Sequence, residues 1–274
     1  MPELPEVETI KRDLQKLLCA KRISKVIVID QRVIKHKSIE EFKRLLQRQT
    51  INDVARRGKA VIFQLSNDLN WVVQPMMTGQ LVFHPAQKTF QLLKETKIIF
   101  EFTTGERLAY NDQRLFGRHM IVRDLLEIPY FKLIGPEPFA QDFTDAWMKT
   151  VLRNKSIAIK NSLMDHRVVA GVGNIYASEI LFNSRISPRR KSNSLTRQEI
   201  RGLIDSTRQV LQEAIDLRGC SMRNYRDGFG LEGKFNTRVK VYGRDHEACV
   251  ECQTPIARII QGGRSTFYCR KCQH

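Results

Sequence analysis

Two groups of residues in this chain have the types and spacing of working chemistry. The first is the opening Met1-Pro2-Glu3-Leu4-Pro5-Glu6. Removal of Met1 would leave Pro2 as a free secondary amine, and an amine at a chain end can attack an electrophilic carbon to form an iminium. A generic α-amino group has a pKa of about 7.7–8.0 against about 10.4 for lysine, so near pH 7.4 roughly a quarter of it is neutral, against about a thousandth of a lysine. A secondary amine is more basic than that reference, so its site has to lower the pKa. The second group is Cys249-x2-Cys252, sixteen residues, then Cys269-x2-Cys272. Two CxxC pairs supply four thiolates, the donor set of a tetrahedral Zn²⁺ site. Redox pairs or disulfides are the alternatives. Four protein ligands leave no open position, so a zinc ion here is expected to be structural, supplying much of the folding free energy of a short unit.

Four further motifs are open to two readings each. Gly262-Gly263 between the CxxC pairs reads as a hairpin turn with Arg264 at its tip, able to reach a phosphate or simply solvated. In VVAGVGNIYASEILF (168–182) the glycines suggest a tight turn between helices. Asn174 then opens a helix whose free amides could hold a phosphate, or it is a plain N-cap. In DQRLFG (112–117), Arg114 and Phe116 alternate and would share one side of a strand. Phe116 could be core or, with Met77, an apolar wedge that fills the hole left by an extruded base. Lys59 follows Gly58 ahead of a strand and is ambiguous alone.

The elements that must position these groups change along the chain. Residues 5–18 have helical spacing, with Val7, Ile10, Leu14 and Leu17 on one stripe, so Pro2 sits on a short lead before a helix. Strands are expected at 25–30, 60–65, 71–73, 80–83, 97–102 and 107–110, an antiparallel sandwich or barrel. Pro129, Pro136 and Pro138 mark a hinge. Helical spacing returns near 144–153, 157–164, 174–183 and 196–217, followed by a Gly-rich, polar, mobile loop at 219–237 and a strand-rich end carrying the cysteines. The expected division is 1–131, a hinge at 132–143, a helical domain with its loop at 144–237, and a zinc unit at 238–274.

Composition narrows the partner. The 274 residues carry 46 Lys+Arg against 29 Asp+Glu, a net charge of +17, which suits a polyanion, with nucleic acid ahead of an anionic membrane. There is no secretory signal pattern and no apolar run of membrane-spanning length. A cytoplasmic protein, nucleoid-associated if bacterial, is expected; no dimerisation heptad appears, so a monomer is expected.

MPELPEVET, RRGK, MMTG, DQRLFG, IGPEPF, VAGVGNIYASEILF, VYGR and GGRSTFYC with the cysteine tetrad occur in one order along nearly the whole chain. In this the sequence resembles the bacterial formamidopyrimidine-DNA glycosylase (Fpg/Nei) family, and its start is similar to the Fpg branch. The resemblance implies an α+β protein: an N-terminal antiparallel β-sandwich with flanking helices, a helix–two-turn–helix domain, and a β-hairpin zinc finger. It implies a glycosylase and abasic-site lyase acting on double-stranded DNA with oxidised purines or abasic sites, with one structural zinc ion as cofactor. Residue by residue it implies Pro2 as nucleophile, Glu3 as general acid, Lys59 and Arg264 as acids in the elimination steps, and Glu6 at the same site. Met77, Arg114 and Phe116 match the void-filling positions, Asn174 and Arg264 the phosphate-gripping ones, and Lys155 a basic DNA contact. Where the family usually reads HLGM this chain has Gln74-Pro75-Met76-Met77; where it often has KHDH, Lys94-Glu95-Thr96-Lys97; and the 219–237 loop is only loosely similar. Those departures leave room for a preference for oxidised pyrimidines or hydantoins. A lesion-binding protein without chemistry is the reading from another class, and the Pro2-Glu3 pair argues against it, because binding needs neither. With about five phosphate contacts, log affinity for DNA should fall with log salt at a slope near −4 to −5. A nearly flat dependence in a titration over salt would contradict a basic DNA groove.

Overall fold

The computed structural model describes residues 1–222 and 224–274. The chain forms two units, Met1–Lys132 with Leu217–Lys234, and Leu133–Asp216 with Phe235–His274. The segment 217–234, placed above with the helical region, is therefore part of the first unit. Of the expected loop at 219–237, Arg223 lies outside the described residues.

In the first unit, helix α1 (Leu4–Leu18) begins with a proline in its first turn, where a missing N–H costs nothing. Val7, Ile10 and Leu14 of its expected apolar stripe are fully buried, and Leu18 completes the stripe in place of Leu17, which is half-buried. After β1 (Ile23–Val28) comes α2 (Ile39–Leu46), capped by Ser38, whose Oγ accepts from the Glu41 N–H at 3.1 Å. The strands β2 (Ile51–Arg57), β3 (Ala60–Leu65), β4 (Asn70–Gln74), β5 (Gln80–His84), β6 (Thr96–Phe102), β7 (Arg107–Asn111) and β8 (Arg118–Val122) follow. They form two four-stranded antiparallel sheets, β1-β6-β7-β5 and β2-β3-β4-β8. Residues of both sheets and α1 share one core. Helix α2 and strands β2 and β8 were not anticipated, and β1 starts two residues earlier than its expected start at Lys25.

Trp71 on β4 joins the two sheets. It stacks on Phe63 of its own sheet at 4.2 Å and meets Phe100 of the other at 4.3 Å between ring centroids. Its indole Nε1 donates to His119 Nδ1 at 3.2 Å. Burial pulls the His119 pKa down to about 3, so the ring stays neutral and can accept.

In the second unit, α3 (Pro129–Leu133) runs into its first residue, and α4 (Asp145–Leu152), α5 (Ile159–Leu163), α6 (Asn174–Asn183) and α7 (Arg197–Asp216) follow. The turns 164–173 between α5 and α6 make the helix–two-turn–helix. The α6 residues Tyr176, Ala177, Ile180, Leu181 and Phe182 are all buried. Phe182 continues into a small cluster with Val241, Ile256 and Phe267 around the cysteines. The hairpin β9 (Ala257–Gln261) and β10 (Arg264–Tyr268) turns at Gly262 and Gly263, with φ of 54° and 72°. A two-residue turn with positive φ at both positions matches the twist of its strands and favours glycine. No helix among the described residues is long and apolar enough to cross a membrane.

His119 generates a pH test. Its folded value lies below the unfolded value of about 6.5, so the unfolded chain binds the extra proton. Its contribution is complete above about pH 6.5 and is lost as pH falls toward the folded value of about 3. His119→Phe should lower stability by about 1–3 kcal/mol at neutral pH, because Trp71 loses its acceptor, and should flatten the loss between pH 7 and pH 5. Urea midpoints at the two pH values check both effects.

Candidate active site and nucleic-acid contacts

Hydrogen bonds to Glu6 hold the start of α1. Pro2 and Glu3 are buried just before α1, and Met1 is half exposed. Glu6 Oε2 accepts from the Glu3 backbone N–H at 2.7 Å, the returning arm of a capping box. The other oxygen, Oε1, accepts from the Cys220 N–H at 2.7 Å, and the Tyr225 hydroxyl donates to the Glu6 carbonyl at 3.4 Å. One buried carboxylate thus fixes the residue after Pro2 and a foot of the 219–237 loop. Gly219 makes this approach possible. Its φ is +83°, and an added Cβ would lie 2.9 Å from the Glu6 side chain.

Lys59 is half-buried at the β2–β3 turn, after Gly58 with φ of 56°. Its backbone N–H donates to the Tyr130 hydroxyl at 3.4 Å. Arg56 braces the turn, with Nε 2.8 Å from Glu8 Oε2 on α1 and Nη1 3.0 Å from the Gly58 carbonyl. Burial raises the Glu8 pKa, but the Arg56 guanidinium outweighs it and holds the carboxyl below its ordinary value. This ion pair is an organiser that sequence reasoning missed. Its partners are 48 residues apart, and neither carries a local signal.

Met77, Arg114 and Phe116 do come together. Arg114 Nη1 lies 3.3 Å from Met77 Sδ, and the guanidinium sits 4.8 Å from the centre of the Phe116 ring. All three are exposed. They do not lie on a strand, as alternation suggested: residues 112–117 form the loop between β7 and β8, and Met76–Thr78 the turn between β4 and β5. Leu115 at φ 59° and Met76 at φ 55° occupy the left-handed region, a strained choice for such side chains. The organiser is Asp112, fully buried and not singled out by the sequence. Its Oδ1 accepts from the Thr78 hydroxyl and from the Arg114 N–H at 3.2 Å; its Oδ2 accepts from the Gly117 N–H at 2.8 Å and the Tyr110 hydroxyl at 3.3 Å. Burial, reinforced by that carboxylate, keeps Tyr110 protonated. Gln74 is buried, and the Glu95 carbonyl accepts from the Asp112 N–H at 2.8 Å. Glu95 lines a cavity of about 410 Å³ with Thr78, Gln80, Asn111, Asn224 and Arg226.

In the second unit, Asn174 is not the N-cap of α6. Gly173 caps it, and Asn174 is the first helical residue. Its side chain is instead bound to the hairpin, with Nδ2 donating to the Ser265 carbonyl at 3.1 Å. Lys160, on α5, completes the junction. This fully buried lysine donates from Nζ to Asn174 Oδ1 at 2.6 Å, Thr266 Oγ1 at 2.7 Å and the Ser265 carbonyl at 3.1 Å. These acceptors meet the donors of an ammonium. The junction sets Ser265, and Arg264 beside it is exposed at the start of β10. Lys155 takes no part in this junction; its Nζ pairs with Asp165 at 3.2 Å. Asp165 is held down to about 2: burial opposes ionisation, and Arg167 and Lys155 outweigh it. Glu179, buried on α6, accepts from the backbone N–H groups of Lys240, Val241 and Tyr242 at 2.8, 3.0 and 2.8 Å.

The four cysteine sulfurs lie within 4.8 Å of one another, with Cys249–Cys272 at 3.9 Å and Cys252–Cys269 at 3.4 Å. A tetrahedral ion with Zn–S bonds of about 2.3 Å needs edges of about 3.8 Å, so the donor set fits zinc. Cys249, Cys252, Cys269 and Cys272 hold one structural zinc ion, and the Cys272 N–H donates to Cys269 Sγ at 3.4 Å.

Comparison with known proteins matches three family models in order. They are the formamidopyrimidine-DNA glycosylase N-terminal domain over residues 1–119, its H2TH domain over 134–226, and the zinc finger found in FPG and IleRS over 247–274. The formamidopyrimidine-DNA glycosylase of Ligilactobacillus salivarius is 39% identical over 275 residues, covering 100% of this chain and 99% of that protein. The crystal structure of the Thermus thermophilus Fpg protein superposes with a TM-score of 0.89 at 36% identity, covering 99% of this chain and 98% of that one. Lactococcus lactis Fpg in complex with DNA containing an abasic site gives 0.91 at 34% identity, with 99% of both chains covered.

Lys160→Met should destabilise the second unit by about 1–3 kcal/mol, because it strands buried acceptors. It should also loosen amide protection at Ser265 and Thr266. Thermal unfolding and hydrogen exchange read the two effects; unchanged protection there would remove Lys160 from its organising role.

Proposed function

This chain belongs to the formamidopyrimidine-DNA glycosylase family, and we propose that Pro2, freed by removal of Met1, is the nucleophile with which it excises oxidised purines and then cuts the strand. The substrates are double-stranded DNA carrying 8-oxoguanine or formamidopyrimidines, and abasic sites. The observation that carries the assignment is the burial of Pro2 and Glu3 together, with the Glu3 amide locked by Glu6 at 2.7 Å. A binding protein has no use for a restrained chain end next to a buried carboxyl group.

The reaction begins with extrusion of the damaged nucleotide, because C1′ is inaccessible in a stacked duplex. Met77, Arg114 and Phe116 enter the vacated space, and Arg114 hydrogen-bonds the orphaned base. The Pro2 nitrogen bonds to C1′ while the glycosidic C–N bond breaks, and Glu3 supplies a proton to assist departure and ring opening. The resulting iminium draws electrons from C2′, so a C2′ proton is lost and the C3′–O bond breaks; a second elimination breaks C5′–O. Lys59 and Arg264 serve these eliminations as acids. The phosphates are gripped by Asn174, through its helix start, and by Arg264 at the zinc hairpin, with Lys155 as a more peripheral basic contact. In domain terms, 1–131 is catalytic, the helical residues from 144 and the zinc unit from 238 bind the duplex, and 219–237 caps the extruded base. The setting is the bacterial cytoplasm, at nucleoid DNA.

Borohydride reduction with a duplex holding one 8-oxoguanine should trap a covalent adduct on Pro2, located by mass spectrometry of the N-terminal peptide. Retained Met1 should abolish trapping. Glu3→Gln should slow base excision by about 10²–10⁴-fold, the range for loss of a general acid. An adduct on another residue, or trapping unaffected by retained Met1, would overturn the assignment. Efficient trapping on oxidised pyrimidines and none on 8-oxoguanine would move the lesion class to pyrimidines.

A further inference from the structure

The segment 217–234 is fastened to α1 at two heights. The nearer fastening is Glu6, described above. The farther is Asp13, seven residues on and therefore on the same side of the helix. Asp13 is buried, and its Oδ2 accepts from Arg218 Nη2 at 2.6 Å and from the Gly228 N–H at 3.1 Å. The same guanidinium reaches Asp227, with Nε 2.9 Å from Oδ2. Asp227 is fully buried, and its Oδ1 accepts from the N–H groups of Phe229 at 3.0 Å and Leu231 at 2.8 Å. One carboxylate on α1 thus receives both feet of the arch, Arg218 on one side and Gly228 on the other. The fit is close: a Cβ at Gly228 would stand 2.6 Å from the Asp13 Cβ. Strand β5 holds the far foot as well, with the Phe83 N–H donating to the Gly228 carbonyl at 2.9 Å.

Nothing in the chemistry of Pro2 and Glu3 needs this ion triad. Its partners are two buried carboxylates and one partly exposed guanidinium, and the cost of taking the two carboxylates out of water is offset by close pairing to Arg218 and by backbone N–H donors. We propose that Asp13, Arg218 and Asp227 are positioning residues for base excision, setting the arch at the distance from Pro2 that an extruded base requires. This rests on the glycosylase reading above. Because α1 carries both Pro2 and Asp13, the helix is the ruler between the nucleophile and the cap. An abasic site has no base to hold, so strand cleavage there does not depend on the triad.

That difference is the test. Asp13→Asn and Arg218→Gln, each in the full chain, are compared with wild type in two single-turnover assays: release of 8-oxoguanine from a duplex, and cleavage of a duplex with a preformed abasic site. Base release should slow by roughly ten- to a hundredfold, the scale on which misplacement of a bound group acts. Abasic-site cleavage should stay within about twofold, and Arg218→Lys should restore part of the lost rate. Arg218 is partly exposed, so its variants report even where Asp13→Asn does not fold. A parallel fall in both reactions would assign the triad to general stability, and no fall in either would leave it without a role; each overturns the proposal. Failure of the glycosylase reading looks different, since wild type would then release no base and trap no adduct.

Discussion

A reactive group at a chain end is tethered on one side only, and termini are poorly ordered unless something else ties them down. The Glu6 carboxylate supplies that restraint. By accepting from the Glu3 amide and from the Cys220 amide, it makes the first helix turn and a distant loop foot part of one hydrogen-bonded body. Helix α1 is in turn fixed by a fully buried stripe and by the Glu8–Arg56 pair, which also braces the turn bearing Lys59. The precision of the start of the chain is therefore inherited from the sandwich core.

The second unit solves a related problem with different means. A short hairpin has too little apolar area to hold itself rigid, and a closed four-sulfur site supplies one anchor at its base. The Lys160 ammonium supplies another, near the tip, by binding Asn174 and two consecutive hairpin residues. Helix start and hairpin are thereby locked in one arrangement, and the amide-rich start of α6 and the exposed Arg264 keep a fixed spacing.

Much of this was legible from residue order. The α1 stripe, the cysteine spacing and the Gly262-Gly263 turn are local patterns, and local patterns survive folding. Strand β2 was missed because INDVARR has too many polar residues to alternate cleanly; it is recruited by pairing with the strongly apolar β3. Arg114 and Phe116 share a side for a reason other than alternation, since the left-handed Leu115 between them redirects the backbone. Lys155 and Lys160 are indistinguishable as letters, and only tertiary packing shows that the second enters the Asn174 junction. Asp13 and Arg218 are 205 residues apart and meet through topology alone. Asp112, Glu6 and Lys160 share this character: their work is to hold other residues, and the partners they hold cannot be read from the local sequence.

The left-handed backbones of Met76 and Leu115 sit directly beside the exposed Met77, Arg114 and Phe116. Glycine at either position would relax the local conformation, yet it would also free the loop to wander. Local strain and loop order are thus coupled at these two positions.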